Sequence, residues 1–165
     1  MYYIPGYHPK WLVGRERIQA VHGERLAALA GRRLSRVWLL WNLKSDAYFG
    51  DGPVIMDFEG VRVEICHQRI NWLSITWGGI DPAQPLEPSS FRLGLRGDNL
   101  GEMDRFVGQV VAGVELLEWI PDDASRGNVA VHIDFGGDGI TIYNRIDSTE
   151  MSFGVPDSRY DRHRL

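Results

Sequence analysis

The chain has 165 residues, of which 44% are apolar, 11% aromatic and 24% charged, and its formal net charge is −4. That balance fits one globular domain, spanning 1–165, that buries its own core, and it excludes a disordered or low-complexity chain. A single cysteine, Cys66, excludes a disulfide framework and a cysteine-rich zinc site and favours the cytoplasm, while the slightly negative charge argues against nucleic acid as a partner.

The N-terminal "MYYIPGYHPKWLVG" has no basic start followed by an apolar run, and no window nears about 18 uninterrupted apolar residues, so neither a signal peptide nor a membrane partner is expected. Its aromatics, Tyr2, Tyr3, Tyr7 and Trp11, suit a cap on the core or a contact patch. "GERLAALAGRRL" places apolar residues at helical spacing and predicts a short helix at about 16–30, with Gly31 as its stop. "SRVWLLWNL" is a nearly continuous apolar strand, expected to be buried on both faces. "NLKSDAYFGDGP" is a loop that sets Tyr48 and Phe49 between Asp46 and Asp51.

Period two takes over next. Val54, Met56 and Phe58 share one strand face, and Ile55 and Asp57 the other. With Glu59-Gly60 as a two-residue turn, Phe58 falls opposite Val61 and Asp57 opposite Arg62. "WLSITW" is a further strand, the proline-rich "GGIDPAQPLEPSS" a connection, and "FRLGLRG" a short strand. "EMDRFVGQVVAGVELLEWI" reads as a helix or turn and then a strand. In "NVAVHIDFGGDGITIYN", Val129, Val131, Ile133 and Phe135 face away from Ala130, His132 and Asp134. A "GGDG" turn sets Phe135 opposite Ile140 and His132 opposite Tyr143, and the terminal "SRYDRHRL" reads as a solvated tail.

"VIMDFEG" and "VHIDFGG" make Asp134 the counterpart of Asp57, and the spacing between those two aspartates also relates Leu29 to Phe106, Gly31 to Gly108, Leu34 to Val111 and Ile65 to Ile142. The expected fold is therefore α+β and mainly β. Two sequence-related antiparallel units, about 26–77 and 103–154, pack as one sandwich or barrel-like domain of about eight to ten strands with one or two short helices. Leu39, Leu116, Val54, Val131, Phe58, Phe135, Ile65 and Ile142 are the expected core.

Chemistry is sparse. His132 and Asp134 share a strand face, and with Asp57 and Tyr143 they would make the site of a small-molecule-binding or hydrolytic enzyme if they converged. Hydrogen-bonded or solvent-facing polar residues are the simpler reading. Cys66 and His67 are consecutive on a strand and point to opposite faces, so they do not form a nucleophilic dyad with each other. No phosphate loop, nucleophile elbow or zinc-protease motif is present, so no catalytic residue, metal ligand or cofactor is assigned. Tyr48 and Phe49, flanked by Asp46 and Asp51, are the candidate partner-binding residues, because aromatic anchors with acidic neighbours suit a basic protein; the equal alternative is that both rings fold back over the sheet edge.

The phrases "DFEGVRVEICHQ", "LSITW", "GITIYN" and "FGVPDSRY" resemble small bacterial proteins of the polymorphic-toxin immunity type. The resemblance implies a cytoplasmic, non-enzymatic inhibitor that masks a toxin domain, and it carries no contact residues with it.

Overall fold

In the computed structural model, which describes residues 3–87 and 91–165, the alternating stretches become hairpins. Strands β4 (Val54–Phe58) and β5 (Val61–Gln68) pair with Phe58 opposite Val61 and Asp57 opposite Arg62, across Glu59-Gly60 at φ 53° and 91°. Asp57 Oδ1 accepts the Gly60 N–H at 2.8 Å, which closes the turn from inside.

Strands β9 (Val129–Asp134) and β10 (Gly139–Asn144) do not take the expected register. Asp134 lies opposite Gly139 and His132 opposite Thr141, so the turn is Gly136-Gly137 and not "GGDG". Asp134 Oδ1 accepts the N–H groups of both turn glycines at 2.8 and 3.2 Å, and Phe135 N–H bonds the carbonyl of Asp138. A two-residue turn with both residues at positive φ matches the twist of the strands better than a wider loop, so both hairpins share one turn.

Among the described residues twelve antiparallel strands form two sheets, rather than the eight to ten expected. The strands not read from the sequence are β1 (Trp11–Leu12), β3 (Ala47–Tyr48), β11 (Thr149–Phe153) and β12 (Tyr160–Arg164). The first sheet runs β1-β6-β5-β4-β2-β3, with β2 at Leu34–Asn42, β6 at Trp72–Trp77, and β7 (Leu93–Arg96) also paired to β2. The second runs β11-β10-β9-β8-β12, with β8 at Gly113–Trp119 and β11 at Thr149–Phe153. Both sheets are open, and together they make a sandwich rather than a barrel. The terminal "YDRHR", read from sequence as solvated, is an edge strand paired to β8 from Tyr160 opposite Trp119 to Arg164 opposite Glu115.

Order β6-β5-β4-β2 in the first sheet parallels β11-β10-β9-β8 in the second. At their junction Gly31 N–H bonds the Val111 carbonyl at 2.8 Å, and Gly108 N–H bonds the Leu34 carbonyl at 2.7 Å. Gly31 with Gly108, and Leu34 with Val111, are pairs at the sequence spacing of Asp57 and Asp134, and here they exchange roles. The spacing slips by one at the last strand: Ile65 pairs Ile75, whereas Ile142 pairs Met151, because the β10–β11 connection is one residue shorter than the β5–β6 connection.

Between the sheets lies the main core. Leu39, Val54, Phe58, Ile65, Leu116, Val131 and Ile142 are buried in it as expected, whereas Phe135, beyond the end of β9, is half-buried. Helix α1 (Arg15–Ala27) and a 3-10 helix (Gly101–Phe106) close it with Ile18 and Leu26, and with Met103 and Phe106. His67 is sealed in this layer: its N–H bonds Thr149 Oγ1 at 2.8 Å, and Nε2 lies 3.3 Å from the Ile142 carbonyl. No helix among the described residues is long and apolar enough to cross a membrane.

The outer face of the first sheet carries a second core. Ile4, Leu40, Ile55 and Ile80 are buried there, with Tyr7, Trp38 and Phe49 packed against them. The fully buried Glu64 carboxylate anchors this cover by accepting from Ile80 N–H at 3.1 Å and Thr76 Oγ1 at 2.7 Å. Gly6 and Gly79 cross here backbone to backbone. A Cβ on Gly6, at φ 77°, would meet the Gly79 carbonyl.

Candidate functional site

Tyr48 and Phe49 are folded back. The Tyr48 hydroxyl donates to the Thr149 carbonyl at 2.6 Å, tying the first sheet to the second, and the Phe49 ring packs on the second core 5.5 Å from Phe91. Both are half-buried: of the two placements read from the sequence, strand β3 gives the folded-back one on the sheet edge. Asp46 accepts from Trp41 Nε1 and Arg96 Nη1, and these contacts hold its carboxyl below the usual range. Asp51 is shifted upward, first by loss of solvent around its carboxyl and second by Asp147.

The enzyme constellation does not assemble. Asp57 belongs to the first sheet, where it caps its turn and pairs with Arg62 at 3.5 Å, while His132 and Asp134 belong to the second. His132 Nδ1 lies 2.9 Å from Thr141 Oγ1, and burial lowers its pKa against the pull of Glu115 and Asp134. For Asp134, burial acts upward, but the bonds from Arg164 at 2.8 Å and from the turn glycines bring its pKa down. Cys66 is fully buried, its thiol pushed up to about 11 by burial, which leaves it a poor nucleophile. Among the described residues no group of three or more His, Cys, Asp or Glu side chains is placed to hold a metal ion.

What the sequence does not reveal is a groove on the outer face of the second sheet. Strands β11 and β12 are its opposite edges, so residues 154–159 must cross the face to connect them. Pro156 of this strap is buried and Val155 is 72% exposed. Beside the strap lies a recess of about 620 Å³ lined by Trp119, Asn128, Tyr143, Arg145 and Tyr160. Trp119 and Tyr160 meet edge to face at 5.0 Å, and Arg159 stacks on Trp119 at 4.6 Å. Burial, with Tyr143 second, pushes the Tyr160 hydroxyl up to about 12, so it stays a neutral donor. Asn128 is only 8% exposed and its Oδ1 has no hydrogen-bond partner among the described residues, at a cost of about 1–3 kcal/mol if nothing fills the position.

At the groove's end stands Ile146, 83% exposed at the tip of the β10–β11 hairpin with φ 46°. A β-branched residue in that region is strained, and an isoleucine in water forfeits its burial, so neither backbone nor core accounts for it. Arg69, in the β5–β6 turn, holds φ 52°, so the backbone conformation occurs at both hairpin tips but the apolar side chain at one of these two positions. Ile146 and Ile70, 59% exposed, line a shallow recess with Trp72 and Asp147 between the two tips. The one signal in the sequence is a lone isoleucine inside the polar turn "NRIDST".

Compared with protein-family models, with curated proteins and with solved structures, the chain matches none of them.

Proposed function

We propose that the chain is a non-enzymatic protein-binding module, an immunity-like inhibitor built from two copies of one β unit, which covers a toxin domain with the loop end of the sandwich. The observation that carries this reading is Ile146, a strained and exposed apolar side chain that burial in a partner would account for. Its surroundings supply complementary features. Ile70 and Ile120 extend the apolar surface, and the exposed carboxylates of Asp122, Asp123 and Asp147 suit a basic partner. The anchor therefore moves from Tyr48 and Phe49 to the second unit, while Asp46 and Asp51 remain on the acidic rim.

Capture from the source cell followed by mass spectrometry supplies the partner, and calorimetry with that protein decides the reading. Ile146→Arg should weaken binding by roughly tenfold or more with the melting temperature unchanged. Retention of a metabolite alone, or equal affinity of Ile146→Arg and wild type, rejects the proposal.

A further inference from the structure

We infer that the groove beside the 154–159 strap accepts a short segment of the partner chain that carries a carboxylate next to an apolar side chain. This rests on the protein-binding reading and names what enters this part of the surface. Three independent features define the occupant. The floor of Trp119, Tyr143 and Tyr160 offers aromatic faces and edges to an apolar side chain. Asn128 contributes a nearly buried amide oxygen without a partner among the described residues; its own backbone groups are already bonded to Trp119 and Ser125. A backbone N–H of an entering chain is the donor this acceptor lacks.

The charge comes from Arg145. Arg159 is neutralised by Asp157 at 2.8 Å and stacked on Trp119, whereas the Arg145 side chain makes no hydrogen bond or ion pair among the described residues. Among the side chains lining the groove, the Arg145 guanidinium is the charged group left to receive a carboxylate, which a guanidinium binds through paired N–H groups.

The other sheet supplies a precedent within the molecule. Cys66, the counterpart of Tyr143 by the repeat spacing, lies under the N-terminal segment with Tyr7 beside its thiol, and Leu40, the counterpart of Leu117, is packed with Ile4. There a segment of the chain itself covers the sheet. At the corresponding place on the second sheet a recess of about 620 Å³ stays open, within the size range of sites that take a short ligand segment.

The test pans a phage-displayed random peptide library on the full chain, with counter-selection on Ser152→Trp, a variant at an exposed groove position that fills the recess. Enriched peptides should carry Asp or Glu beside a Leu, Phe or Trp. They should bind Arg145→Ala roughly tenfold or more weakly and fail on Ser152→Trp, both variants melting as wild type does. The inference is overturned by enrichment of basic peptides, by equal binding to Ser152→Trp, by no enrichment at all, or by N-acetylphenylalanine binding as tightly as the peptides. The captured partner separates the two readings. Loss on Ile146→Arg with normal binding to Ser152→Trp removes the groove occupant alone; normal binding to both removes the protein-binding proposal itself.

Discussion

The outer faces of the two sheets begin from strands in matching order and end differently. On the first sheet Leu40 and Ile55 point outward and are wholly buried, because the chain returns over them with Ile4, Tyr7 and Ile80 and pins the cover to Glu64. On the second sheet the position corresponding to Ile55 is His132, set among Thr141, Glu115 and Asp134, and the strap across that face leaves the groove open. One face is closed by apolar area, while on the other Leu117 and Ala130 are buried beside these polar contacts and a recess stays open. A sheet with its inner face in the main core does not need a second buried face to be stable, so the open face is free for binding.

The inner faces set the scale for breaking this comparison. Phe58→Ala should cost about 3–5 kcal/mol because the ring is wholly enclosed, and Phe135→Ala at the corresponding position, half-buried, should cost about half as much or less. Chemical denaturation measures both, and equal losses would put Phe135 inside the core. On the outer faces, Ile55→Ala should cost about 2–5 kcal/mol, whereas Tyr143→Ala on the open groove should cost less than about 1 kcal/mol. A large loss at Tyr143 would mean that the groove is closed in solution.

Acid probes the layer between the sheets. Burial holds the His67 pKa down to about 4 against an ordinary value of 6.5. Its contribution to stability is thus fully present above about pH 6.5 and is lost as pH falls toward 4, amounting to about 3 kcal/mol. His22 and His132 are shifted in the same direction, so the His67 share is the difference in pH slope between wild type and His67→Gln. Identical slopes would place the ring in water. Smaller still, Gly6→Ala should cost about 1–3 kcal/mol, by straining a positive φ and crowding Gly79, and should leave partner binding untouched.

Local rules made much of the fold legible. Val54, Met56 and Phe58 alternate with Ile55 and Asp57 as the period requires, and Glu59-Gly60 specifies the turn that gives Asp57 opposite Arg62. The second hairpin misled because four turn-forming residues follow Phe135, and sequence alone does not say which two make the turn. Strand β12 was hidden for a different reason: Asp161, Arg162 and Arg164 have the composition of a tail. What makes them a strand is pairing with β8, including Arg162 on Glu115 at 2.8 Å, across a long sequence separation. The groove was beyond reach altogether, since it exists only because β11 and β12 end up on opposite edges. Tyr48 and Phe49 show the converse: aromatic residues in an acidic loop read equally as surface or as folded back, and here the Tyr48 hydroxyl joins the two sheets while the Phe49 ring packs on the outer core of the first.

The contrast between a closed and an open outer face is tested most directly by amide hydrogen exchange on the chain alone and with its captured partner. New protection in residues 119–128 and 143–159, with the N-terminal cover over the first sheet unchanged, is the expected result. Protection confined to residues 43–52, or to the first sheet's cover, would contradict the account.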